Sequence, residues 1–188
     1  MGDGACVKEI MDIILAVSTL VLALSTVVLA FATVKMARES RDGSYRQIGV
    51  QTWIEFARRF DSFEMMKARE ELAKKMKNYS PTERKHKGIS ENVLNFFEDL
   101  GALYENGYID KVMAVDTFSY HASRWWEVSK SYIDHERKSH GEDPSLFSNF
   151  GKFATVCRVA FPDDVIDADE IQNFLLGESN LAPTTLSP

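Results

Sequence analysis

The chain has 188 residues, 45% hydrophobic and 27% charged, with a formal net charge of −6 at neutral pH. These proportions exclude a disordered chain and a polytopic membrane protein, and the length holds one domain plus a membrane segment rather than two full domains. The charge is divided, with 14 Lys/Arg against 8 Asp/Glu in residues 35–88 and 7 against 17 in residues 89–188, which argues against a nucleic-acid module and suits a proximal half facing anionic headgroups.

Residues 1–12 form a short N-terminal segment carrying Asp3, Glu9 and Asp12 against one basic residue, Lys8. Residues 13–34 follow as 22 residues without a charge. At 1.5 Å per residue a helix of about 20 residues crosses the hydrocarbon core, so the run predicts a transmembrane helix. Ala30-Phe31-Ala32 has the small-x-small form of a signal-peptide cleavage site. An uncleaved anchor is favoured, because the basic n-region is missing, the apolar run is too long for an h-region, and basic residues follow at once. Lys35, Arg38, Arg41 and Arg46 occupy the next segment, 35–46. The positive-inside rule therefore orients the chain with its N-terminus outside and its bulk in the cytoplasm, anchored in the inner (plasma) membrane.

The span contains a seven-residue repeat. Ala16, Ala23, Ala30 and Ala37 share one heptad position, and Thr19, Thr26 and Thr33 share another. Small residues that admit close approach mark packing faces of membrane helices. A seven-residue period predicts a left-handed crossing. The expected partners are the lipid bilayer itself and a second copy of the span or a partner transmembrane helix.

Residues 47–176 predict a helical domain. A first helix, 47–60, carries Trp53, Phe56, Ala57 and Phe60 at helical spacing. Asp61 and Glu64 suggest a capping box before a second helix, about 62–78, which buries Met65, Ala68, Leu72 and Met76. A basic loop, 81–88, leads to a third helix, 90–106, with Val93, Phe96, Phe97, Leu100, Leu103 and Tyr104 on one face. Gly107 suits its left-handed C-terminal cap. Asp110 caps a long helix, 111–139, carrying Val112, Val115, Phe118, Ala122, Trp125, Trp126 and Ile133. Asp143-Pro144 predicts the start of a fifth helix, with proline at its first position and an apolar series from Leu146 to Phe161. Pro162 ends that series. A short helix follows, capped by Asp167 with Glu170 three residues on. Residues 177–188 read as a disordered tail. The fold class is all-α: an N-terminal transmembrane helix, then a bundle of about five helices.

Catalytic signatures are thin. Glu83-x-x-His86 has the spacing of half a di-iron site, yet it occurs once and in a basic loop. His135 and His140 are five residues apart, too far for a metal pair on one helix turn. No nucleophile elbow and no Gly-rich phosphate loop occurs in the sequence. The two cysteines, Cys6 and Cys157, lie on opposite sides of the apolar run, and Cys157 reads as a small buried hydrophobe. Accordingly no catalytic, metal or cofactor residues are assigned. Glu98 falls opposite the apolar face of its helix, which predicts solvent or a salt bridge, with Arg124 or Arg137 as buried partners in the sharper alternative. Trp125 and Trp126 are 100° apart, so one predicts core and the other a groove or partner-facing position.

The stretch FFEDLGALYENGYIDKVMAVDTFSYHASRWWEVSKSYIDHERK, residues 96–138, resembles an uncharacterised bacterial family with one N-terminal span and a helical cytoplasmic domain of unknown function. Trp53, Phe56, the Phe60-Asp61-Ser62 break, Glu98-x-x-Gly101, Gly107-Tyr-Ile-Asp110, Trp125, Trp126 and Arg137 carry the resemblance, over about residues 10–165. It implies architecture and brings no reaction or cofactor. The sequence thus predicts a non-enzymatic, membrane-anchored interaction, sensor or regulatory module that contacts an unidentified cytoplasmic protein. The first rival is a membrane-tethered enzyme built between helices, with Glu98, His121, Arg124 and Arg137 as its nameable residues. The second is a membrane effector of a bacterial stress or antiphage response that oligomerises through its span.

Overall fold

Six α-helices and no strand occur among the described residues of the computed structural model, which are residues 3–79 and 91–181. The first, α1 (Asp3–Phe60), is 58 residues long. The basic segment 35–46, expected as a separate connection, lies within it. That segment contains no proline and one glycine, Gly43, among good helix formers, so nothing in it ends a helix. The chain forms two compact units, Met1–Arg46 and Gln47–Pro188. In the first, Ser18–Arg38 is a 21-residue segment long and apolar enough to cross a membrane, and none of it is buried.

The second unit holds the rest of α1 and α2 (Phe63–Met76), α3 (Asn92–Glu105), α4 (Lys111–Ser139), α5 (Ser148–Ala160) and α6 (Ala168–Glu178). Its core is aromatic: Phe60, Phe96, Phe97, Phe118, Phe150 and Phe153 are all buried. Phe96 meets Phe97 edge-on at 5.2 Å, and Phe97 stacks on Phe150 at 5.0 Å. The apolar stripes of α2 and α3 point inward as their periodicity requires. Val112 does not: it is 70% exposed, on the solvent side of the first turn of α4, whereas Ala114 and Val115 of the same turn are buried. Phe161, just past the end of α5, is also exposed.

Local signals fix several ends. Gly107 takes φ +71°, and Gly107 N and Tyr108 N donate to the carbonyls of Tyr104 and Leu103, which closes α3 as a Schellman motif. Asp110 Oδ1 accepts from Met113 N at 3.0 Å, and Asp167 Oδ1 accepts from Glu170 N at 2.8 Å. Two expectations are corrected. The cap of α2 is Ser62, whose Oγ accepts from Met65 N, one residue beyond the predicted Asp61. Pro144 does not open α5. It begins a turn, with Asp143 Oδ1 accepting from Ser145 N, and Phe147 at φ +55° separates that turn from Ser148, where α5 begins. The loop 81–88, with Glu83 and His86, lies outside the described residues.

Glycines decide how closely helices meet. A Cβ on Gly101 of α3 would lie 2.3 Å from the carbonyl oxygen of Asn149 in α5. Gly151 holds a similar place beneath Trp126, where a Cβ would lie 2.8 Å from the ring. Gly177 has nothing within 4 Å. Gly101→Ala is therefore expected to destabilise the full chain by about 1–3 kcal/mol through overpacking. Gly177→Ala should be neutral or gain up to about 1 kcal/mol from helix entropy. Urea melts in detergent, followed by circular dichroism, measure both, and equal effects would show that the close approach carries no weight.

Candidate functional site

The four polar residues named for a catalytic site fall into two pairs: Glu98 and Arg137 act at the start of α5, and His121 and Arg124 act at α6. Glu98 projects from α3 to the start of α5. Its Oε1 accepts from Asn149 Nδ2 at 2.8 Å and from Asn149 N at 3.3 Å, and its Oε2 accepts from Phe150 N at 2.8 Å. With Phe147 as its N-cap residue, α5 has no side-chain cap of its own. A carboxylate from the neighbouring helix satisfies its first free N–H groups and meets the positive end of its dipole. Glu98 is thus half-buried and bonded to α5 rather than paired with Arg124 or Arg137. The hydrogen-bond partner of Arg137 is a backbone carbonyl, that of Leu146, which its Nε and Nη2 reach at 3.0 and 2.8 Å. That contact secures the turn before α5.

Arg124 and His121 belong to two separate clusters that hold α6 and the segment preceding it. Arg124 is buried on α4. Its Nη1 and Nη2 donate to Asp164 at 2.9 and 2.8 Å, and its Nε donates to Glu170 at 2.7 Å. Its guanidinium lies 3.7 Å from the centre of the Tyr120 ring. Glu170 therefore turns to Arg124 instead of closing a capping box with Asp167. The Arg124 hydrogen bonds hold the Asp164 carboxyl below its ordinary value.

The second cluster contains two residues that the sequence reading left out of the site. Arg69 of α2 and Glu178 of α6 are both buried, and Arg69 donates from Nε and Nη2 to Oε2 and Oε1 at 2.7 and 2.6 Å. His121 Nε2 lies 3.2 Å from Arg69 Nη2 and 3.5 Å from Glu178 Oε1. Phe60 covers the cluster, with the guanidinium 4.1 Å from its ring centre. Burial alone would raise the Glu178 carboxyl, but the contacts with His121 and Arg69 prevail and hold it below 4.5. The available signal was Arg69 itself, a cation on the Met65–Leu72–Met76 stripe. Its partner was read as tail, but α6 runs to Glu178.

Trp125 is fully buried and meets Phe174 of α6 edge-on at 5.2 Å. Trp126 is half-buried against Gly151 and Phe150, 5.1 Å between ring centres, so it packs α4 on α5. Cys157 is buried, and burial pushes its thiol up to about 12. No group of three or more His, Cys, Asp or Glu that could hold a metal occurs among the described residues. A cavity of about 420 Å³ lies between α2, α4 and α6, with Met76, Ile171 and Leu175 as apolar lining and Lys77 and Glu127 at its polar edge. Lys77 there donates to Ser179, and Glu127 accepts from Lys130 and Arg158.

On α1, Thr19, Ala23, Thr26, Ala30 and Thr33 are exposed; the side chain of Ala16 lies outside the described residues. The hydroxyls of Thr19, Thr26 and Thr33 each donate to the carbonyl four residues back, at 2.8 Å. They are thus satisfied within their own helix.

Fold and site together define a class: an all-helical protein with one N-terminal apolar helix and a domain tied together by buried ion pairs. Residues 13–157 match the family described as Domain of unknown function (DUF4760), and the chain belongs to that family. No curated protein and no solved structure matches the chain. The matched region ends before α6, so Asp164, Glu170 and Glu178 all lie beyond it.

Removing either partner of the Arg69–Glu178 pair should cost about 3–5 kcal/mol, because the other charge stays buried. The double variant Arg69→Met/Glu178→Leu should recover most of that loss, and a double-mutant cycle in urea reads the coupling. The Glu178 carboxyl is depressed in the folded state, so its contribution is complete above 4.5 and is lost as pH falls through the lower folded value. Stability in the wild type should hold steady from neutral pH to about pH 5 and decline below it, and Glu178→Gln should flatten part of that decline.

Proposed function

We propose that this protein is a membrane-anchored helical module that works through protein contacts, with its N-terminus outside and its domain in the cytoplasm. The observation carrying this reading is the fate of the polar side chains. Glu98 caps a helix, Arg137 holds a turn, and His121 and Arg124 bind α6, so each of the four has a structural partner. The apolar helix is the feature that the chain leaves uncovered, with none of Ser18–Arg38 buried. Its basic C-terminal flank supports the orientation.

Self-association through the span is part of this proposal. The hydroxyls bond within their own helix, so association rests on the close approach that Ala16, Ala23 and Ala30 allow rather than on threonine hydrogen bonds. Ala23→Leu should weaken it by about 1–2 kcal/mol, whereas Thr26→Val and the control Val28→Ile should leave it unchanged. Crosslinking of the full chain in membranes, or a genetic two-hybrid assay on the span, reads the result. Equal signals from Ala23→Leu and Val28→Ile would discard the self-association.

Topology has its own test. A membrane-impermeant maleimide applied to intact cells should label the chain at Cys6. Cys157 stays silent because it is buried and its thiol is pushed up to about 12. Protease cleavage of the domain from outside would reverse the orientation.

A further inference from the structure

One face of α1 carries an open apolar groove of about 400 Å³ lined by Val27, Ala30, Phe31, Val34 and Arg38. These residues recur at helical spacing and so lie along a single strip of the helix. Ala30 forms the low floor; Phe31, 81% exposed, stands as one wall. Val27 and Val34 extend the strip, and a guanidinium closes it. At 1.5 Å per residue, the distance along the axis from Val27 to Arg38 is about 16 Å. That is about half of a 30 Å hydrocarbon core, the depth of one leaflet. Arg38 is also the last residue of the apolar segment Ser18–Arg38. The groove therefore has the length of one acyl chain and ends in a cation at the level where a headgroup phosphate lies.

From this we infer a binding site for an anionic phospholipid, with one acyl chain along Val27–Ala30–Phe31–Val34 and the phosphate on Arg38. The inference rests on the anchored reading above. Arginine suits the role because its planar fork presents paired donors to phosphate oxygens. A neutral or zwitterionic lipid fills the same groove without net attraction to the cation. The groove borders the heptad seam and shares Ala30 with it.

The test uses the full chain reconstituted in phosphatidylcholine vesicles containing chain-spin-labelled phosphatidylglycerol or phosphatidylcholine. Electron paramagnetic resonance then reads the motionally restricted fraction of each lipid. Phosphatidylglycerol is expected to be preferred, and Arg38→Gln to lower the preference about fivefold, the factor matching ~1 kcal/mol per basic residue at an anionic surface. Arg38→Lys, which keeps the charge and loses the fork, should retain only part of it. Phe31→Ala, which removes a groove wall, should lower retention of phosphatidylglycerol. Arg46→Gln, about 12 Å further along the helix, should not change it. An equal loss with Arg46→Gln, or no loss with Phe31→Ala, means diffuse surface charge and overturns the site. Competition by inorganic phosphate overturns it as well, by showing a soluble-anion site. A chain that stays inserted yet shows no lipid preference defeats the groove alone, whereas release of the chain by alkaline carbonate defeats the anchored reading too.

Discussion

The contact between α3 and α5 is the constraint from which the rest of the domain follows. Gly101 brings the backbones together at Asn149, and that approach puts the Glu98 carboxylate within reach of the first N–H groups of α5. Without a carboxylate there, α5 would have no side-chain cap, because its N-cap residue is Phe147, which has a left-handed backbone and no polar side chain. Packing and capping are thus coupled: the close approach is needed for the cap, and the cap fixes where α5 starts. Phe97 on Phe150 and Trp126 over Gly151 complete the same interface.

A second level of order is electrostatic. The apolar contacts of α6 with its neighbours centre on Phe174 and Leu175, and two arginines complete its attachment, Arg69 by a fork to Glu178 and Arg124 through Glu170 and, just ahead of the helix, Asp164. Arg69 and Arg124 lie on different helices, α2 and α4, so α6 is tied to both. These ties add modest net stability: both ions of the Arg69–Glu178 pair lose their hydration, and Asp164 and Glu170 stay half-exposed beside Arg124. They do penalise alternatives strongly, since a misplaced α6 would strand two guanidinium groups in the interior. The ion pairs therefore specify position more than they supply stability. The family match ends before α6, so these forks join an element outside the matched region to one inside it.

The apolar part of α1 obeys different rules. The hydroxyls of Thr19, Thr26 and Thr33 bond to their own backbone, so the Ser18–Arg38 surface presents apolar side chains and, near its end, the charges of Lys35 and Arg38. In the reading proposed above, alanine, phenylalanine and arginine there act by shape and charge.

Much of this was legible in the sequence. The apolar run, the stripes on α2 and α3, the caps at Asp110 and Asp167 and the glycine at Gly107 all act within one or two turns of their own helix. Local chemistry reads them directly. The sequence also determined that the chain is all-helical, because no segment alternates with period two. It did not reveal the cap of α5, because the donor groups and the Glu98 carboxylate are some fifty residues apart in the chain. Nor did it pair Arg69 with Glu178 across 109 positions, or separate Arg124 from Glu98. Helical periodicity says which face a residue occupies and nothing about what that face meets. Partners, and hence whether a polar residue is a catalytic group or a structural tie, were decided only when tertiary packing brought distant helices together.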